Sequence, residues 1–170
     1  ESALRDDGLG QLKGTFTHHL SQPITDWFIA YRNTAYYPTD GATIPPGVDF
    51  SLKGFPHPVI KAFLTRGSSL RGENRGEVAI RRDAYDPSAD AELDDIITMI
   101  SFHAAADGAD YTTLENHYLE SLELTQLLDL KRAIIFGRID TSALALQLVG
   151  QPMEVDSTTY VRLIVPVEAE

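Results

Sequence analysis

The sequence predicts an α+β fold, a mostly antiparallel β-sandwich or partly closed barrel of about seven or eight strands with one long and one short helix packed on it. Three observations predict it. Short runs rich in β-branched and aromatic residues recur between turns that contain Gly and Pro. One stretch, residues 112–132, carries the caps and charge order of a long helix. Strand-like and helix-like stretches do not alternate regularly, which disfavours a doubly wound parallel sheet. At 170 residues, with 43% hydrophobic and 23% charged content, the chain suits a single domain, with residues 1–10 as a flexible N-terminal arm.

Residues 12–20 suit a strand. Residues 24–37 hold the only Trp, and both faces of this run are apolar, as in a strand covered on both sides. Residues 38–47, with three Pro and two Gly, form a loop that reaches outward. Residues 48–55 alternate Val48, Phe50 and Leu52, as in a strand with one wet face. Pro58 opens a short helix that Gly67 stops. A polar glycine-rich loop follows at 67–76, then a strand at 77–85 and an acidic turn at 86–95. Residues 96–103 read as a helix stripe (Leu93, Ile96, Ile97, Ile100) or as a buried strand, and their β-branched and aromatic content favours the strand. Three more strands are expected at 133–139, 143–149 and 158–167, with Pro166 marking the last as an edge or its end.

The long helix at 112–132 rests on local chemistry. Thr112 and Glu115 have capping-box spacing. Acids lie toward its start, and Lys131 and Arg132 lie at its end. Leu114, Tyr118 and Leu122 step by four, and Leu124 and Leu128 fall on the same side. Leu119 and Leu127 fall outside that stripe, and are therefore candidate interface residues. Tyr36 and Tyr37, beside Pro38, are the other candidates, because Tyr offers an apolar body with a polar tip.

Composition excludes several chemistries. There are no cysteines, so thiol nucleophiles, disulfides and Cys-ligated metals are absent. A net charge of −11 argues against direct nucleic-acid binding, although Arg66, Arg71, Arg75, Arg81 and Arg82 gather in one region. The apolar runs are too short for a transmembrane helix. The glycines of GLGQLKG fall one place off a dinucleotide fingerprint, and no strand precedes them. Of the five histidines, the adjacent His18 and His19 point to opposite faces of a strand, leaving His103 with His117 as a metal pair from separate segments. Asp107, Asp110 and Glu115 offer hard oxygen ligands without EF-hand spacing. Asp86, Asp90, Glu92, Asp94 and Asp95 suit a solvated turn better than paired catalytic carboxylates. Ser68 and Ser69 lack the GxSxG elbow of a hydrolase. No catalytic, cofactor-binding or metal-binding residues are assigned, and no cofactor is expected.

The favoured reading is a non-catalytic structural or assembly subunit, acting in a homo-oligomer or larger protein assembly, without nucleic-acid or membrane partners. Residues 48–82 run strand, short helix, glycine-rich loop, strand. This order resembles the corresponding part of tube-forming proteins in phage tails and type VI secretion. The likeness is one of arrangement over about a fifth of the chain, and the helix at 112–132 departs from the pattern. It implies a virion, phage-tail or secretion-tube component. The alternatives are a metal-dependent hydrolase using His103 or His117, and a small-ligand or peptide-binding α+β domain with a pocket beneath the long helix.

Overall fold

The computed structural model describes residues 1–65, 68–71, 78–81, 93–112, 120–141, 147–152 and 157–168. Strand pairings among them are antiparallel and the helices are short, so the fold is α+β. The chain divides into two compact units, because a middle segment packs chiefly on itself. One unit comprises Glu1–His57 with Lys131–Glu170, and the other is Pro58–Leu130.

The first unit begins with β1 (Arg5–Asp6), β2 (Leu12–Lys13) and β3 (Thr15–Phe16). The strand expected over 12–20 is thus broken at Gly14. Its φ is +99°, and a Cβ there would meet the Ala3 carbonyl oxygen at 2.1 Å. That close approach also corrects the expected N-terminal arm. Ala3 N–H donates to Thr15 O, Asp6 N–H donates to Glu168 O, and Leu4 is fully buried. The run at 24–37 is two strands, β4 (Ile24–Tyr31) and β5 (Thr34–Tyr36), joined in a hairpin by Arg32 and Asn33. Of the strand expected at 48–55, only β6 (Phe50–Ser51) is extended, and it pairs with β3.

The second unit holds α1 (Ile60–Leu64), which starts two residues beyond Pro58. Then β7 (Ser68–Arg71), inside the expected glycine-rich loop, pairs with β8 (Val78–Arg81). Residues 96–103 fall largely in a helix, α2 (Leu93–Ser101), which corrects the strand. Two forces decide this. Asp94 and Asp95 in the first turn complement the helix dipole, and the four-residue rhythm buries Ile100 with Met99. The largest correction concerns 112–132. Residues 113–119 lie outside the described ones. The rest forms a 3₁₀ turn at Glu120–Leu122, the four-residue α3 (Thr125–Leu128) and the start of a strand. The Glu123 carboxylate accepts from Thr125 N–H (2.9 Å) and Ala104 N–H (3.2 Å), and Leu124 N–H donates to Ser101 O (2.8 Å). The Leu124 and Thr125 amides are thereby taken from a continuous helix, one by a distant carbonyl and one by a neighbouring side chain.

The chain then returns to the first unit. β9 (Arg132–Ile139) matches the strand expected at 133–139. Of the strand expected at 143–149, β10 (Gln147–Leu148) is described, while 142–146 lie outside the described residues; β10 pairs with β11 (Gln151–Pro152), inside the expected connection. β12 (Thr159–Pro166) is the last.

One four-stranded sheet, in the order β12–β9–β4–β5, organises this unit. A register irregularity between Thr25 and Phe28 bends β4, and Asp26 there has φ +45°. Both faces are apolar, as the sequence predicts for β4. On one, Trp27 meets Phe50 edge-on at 5.3 Å, and Phe16 packs against Phe50 at 5.7 Å. Leu4, Leu12, Ile44 and Leu52 complete that core with Ile29, Tyr31 and Ile135. On the other, Phe28 packs against Phe136 at 5.3 Å.

Gly14→Ala combines a left-handed φ with a backbone clash. It is expected to lower unfolding free energy by about 3 kcal/mol, read from the urea midpoint.

Candidate functional site

The first unit carries two concavities and one buried charge cluster. The cluster is built by the DDGLG turn. Asp6, only 6% exposed, accepts from Gly8 N–H (3.0 Å), Gly10 N–H (3.1 Å) and the Tyr31 hydroxyl (2.8 Å), and pairs with Arg32 at 2.9 Å. Asp7 accepts from Leu9 N–H (2.9 Å) and Gln11 N–H (3.1 Å), with Lys13 at 3.5 Å. The amides of this glycine-rich turn are therefore taken up by its own carboxylates. Burial pushes the Asp6 carboxyl up, but the Tyr31, Gly10 and Gly8 hydrogen bonds and Arg32 together hold it below its ordinary value. Burial and the Asp6 carboxylate hold the Tyr31 phenol above its own. With its lone pairs filled on every side, Asp6 positions chain rather than moving protons.

The first concavity, about 450 Å³, is a groove between Phe16–Leu20 and Leu163–Pro166 of β12. His18 in its wall is buried and fully engaged. Its Nε2–H donates to Ile44 O (3.0 Å) and its Nδ1 accepts from Leu20 N–H (3.3 Å), a neutral tautomer serving structure. The second, about 600 Å³, lies between the turn at Leu12–Thr15 and the segment after β6. Tyr36 and His57 stack in its wall at 5.4 Å, with 19° between planes. Tyr36 is buried, and its hydroxyl oxygen accepts from Leu12 N–H at 2.8 Å. Burial, with Asp7 and Asp6 adding to it against the Leu12 hydrogen bond, holds that phenol above its ordinary value. His57 Nδ1–H donates to Phe55 O at 3.1 Å, which fixes its ring.

The residues singled out by sequence fall in different places. Tyr36 belongs to the core of its own chain, where its polar tip meets a backbone amide. Tyr37 is half-buried, and its N–H donates to Pro56 O (3.4 Å). Leu127 is half-buried on α3, and Leu119 lies outside the described residues, so the pair does not share a described helix face. His19 and His57 are exposed. His103 is half-buried, its Nε2 enclosed with no hydrogen-bond partner among the described residues, while His117 lies outside them. Asp107 pairs with Lys61 at 2.6 Å. Among the described residues no three His, Asp or Glu converge as a metal site, and no helix is long and apolar enough to cross a membrane. The groove and the cleft escaped sequence reading, because each is assembled from segments far apart in the chain. The one usable signal was the doublet of acids before GLG, which sets a turn that binds its own carboxylates.

No protein-family model, curated protein or solved structure matches this chain.

Tyr31→Phe removes a hydrogen bond to a buried carboxylate, and at neutral pH is expected to cost about 2 kcal/mol in chemical denaturation. Because the folded Asp6 pKa is depressed, the stability it contributes is complete above about pH 4 and lost as pH falls through the folded value. Asp6→Asn is therefore expected to be less stable than the parent at neutral pH and to show a flatter loss of stability in acid.

Proposed function

We propose that this chain is a non-catalytic structural subunit that assembles with further copies of itself through the outer edge of β12. One observation carries the reading. Val167 N–H donates to Lys131 O (3.1 Å), so residues 167 and 131 form a hydrogen-bonded pair of the β12–β9 ladder. Antiparallel pairs alternate, which makes Ile164 opposite Ile134 a non-hydrogen-bonded pair. The Ile164 N–H and C=O then point away from β9, to a side where they have no partner among the described residues. Its side chain is 48% exposed. Pro166 occupies the next outward-pointing position, where a missing N–H costs no ladder bond. An edge of this kind is a template for another strand.

The partners are protein copies rather than nucleic acid, a reading that the charge of −11 supports. A virion, phage tail or secretion tube is the proposed setting, supported by the strand, short helix, strand, strand order of β6, α1, β7 and β8. The layering of Phe16 and Phe50 on Trp27 supports a sandwich rather than a closed barrel.

Light scattering with negative-stain imaging tests this directly. Oligomers, rings or filaments are expected. Ile164→Pro and Ile164→Lys are expected to weaken them by about tenfold or more while leaving the far-ultraviolet circular dichroism unchanged. A monomer at every concentration, or an assembly indifferent to both substitutions, overturns the proposal.

A further inference from the structure

The cleft beside Tyr36 is lined by two lysines in an acidic protein. Lys13, Lys53 and His57 line it, and among the described residues no Asp or Glu does. Their partners differ. Lys13 is 3.5 Å from Asp7, which already accepts two backbone N–H bonds. Lys53 is exposed and has no ion pair among the described residues. The Tyr36 hydroxyl accepts from Leu12 N–H and keeps its own proton to donate, with no acceptor for it among the described residues. A phenol is protonated at neutral pH in any case, and burial, with Asp7 and Asp6 adding to it, raises this one further above its ordinary value. The cleft is thus rich in donors, with the Lys53 charge set at its mouth and the Asp6 and Asp7 carboxylates behind the Tyr36 wall.

Its body is apolar and flat. Leu52 is buried, and Phe55 stacks on Phe50 at 5.7 Å and meets Trp27 edge-on at 5.1 Å, so that wall is rigid. The His57 ring lies parallel to Tyr36 and is held by its bond to Phe55 O, leaving an oriented aromatic edge at the mouth. Gly54 has φ +94°, and nothing lies within 4 Å of where its Cβ would be, so the approach beside Lys53 is open. A volume of about 600 Å³ falls within the range of small-molecule sites, which combine apolar walls with a few placed polar groups.

We propose that this cleft is a binding site for a small molecule bearing one anionic group, carboxylate or phosphate, on a flat apolar body. The anion lies between the Lys53 ammonium and the Tyr36 hydroxyl, and the body rests against Phe55 and His57. Lys13 contributes less, because Asp7 already offsets its charge. The proposal is independent of assembly through β12, since the two sites share no residue.

The test titrates 2-naphthoate into the ¹⁵N-labelled chain and follows amide shifts, with phenyl phosphate as the second anion and 2-naphthalenemethanol as the neutral control. Saturable shifts are expected at Gly14, Lys53, Gly54 and Phe55, with both anions bound at least tenfold more tightly than the alcohol, as one charge-assisted hydrogen bond supplies. Lys53→Gln, an exposed change that leaves the fold intact, is expected to weaken the anions about tenfold and the alcohol hardly at all. Lys13→Gln is expected to do less. Tighter binding of one anion than the other identifies the head group. Absence of saturation at millimolar ligand, shifts centred elsewhere, or equal affinity for the alcohol overturns the proposal.

Discussion

The Asp6 carboxylate is the interaction on which the first unit depends. Taking a carboxylate out of water costs several kcal/mol unless opposite charge and hydrogen bonds replace its hydration. Here the replacement comes from two places at once. Gly8 and Gly10 supply amides from the same turn, and Tyr31 and Arg32 supply a hydroxyl and a guanidinium from the end of β4. The arrangement constrains backbone as well as side chains. Gly8 and Gly10 lie at φ +80° and +86°, and Arg32, a non-glycine residue, lies at +48°. Arg32 sits in a hairpin turn where the left-handed conformation costs on the order of 1 kcal/mol, and its ion pair with Asp6 offsets that cost.

From this anchor the first six residues connect two layers. Glu1 and Ala3 bond to Thr17 and Thr15 beside β3, while Leu4 and Asp6 bond to Glu168 just beyond β12. Leu4 is pressed into the core between them. The close passage of Ala3 over Gly14 is the steric signature of this crossing. Two surface features follow from the same path. Where the segment leaves β12, the edge at Ile164 stays unpaired among the described residues and a groove opens beside it. Where the chain turns back through Gly14, Leu12 presents its amide to Tyr36, and the cleft opens over that contact.

Several polar groups inside this unit fix geometry. His18 is held as one neutral tautomer by Ile44 and Leu20, the Trp27 indole N–H donates to Ala42 O (2.7 Å), and Tyr36 caps the Leu12 amide. Each bond ties a core side chain to a loop or turn that has little packing of its own. The loop at 38–47, read from its Pro and Gly content as reaching outward, is tied back by Trp27, and Ile44 is fully buried.

What the sequence determined by itself was the set of strands whose chemistry leaves little choice. The runs read as strands at 24–37, 133–139 and 158–167 hold β4 with β5, β9 and β12, the first is apolar on both faces, and Pro166, read as an edge or a strand end, closes the edge strand β12. The α+β class follows from them. The tertiary structure decided the rest. For 93–101 the sequence held both readings, and Asp94 and Asp95 with the four-residue rhythm, local signals too, prevailed over β propensity. Glu123 and Leu124, inside a stretch that reads as helical, were drawn out of helix by bonds to residues about twenty positions earlier, so that α3 begins only at Thr125. Polarity near the N-terminus suggested an arm, but the acids that made it polar are what dock it. Tyr36 looked like a surface tip and is a buried acceptor. Pattern and propensity report what a residue does with its neighbours in sequence; the cleft, the groove and the Asp6 cluster are made by contacts among distant segments, which only the folded chain brings together.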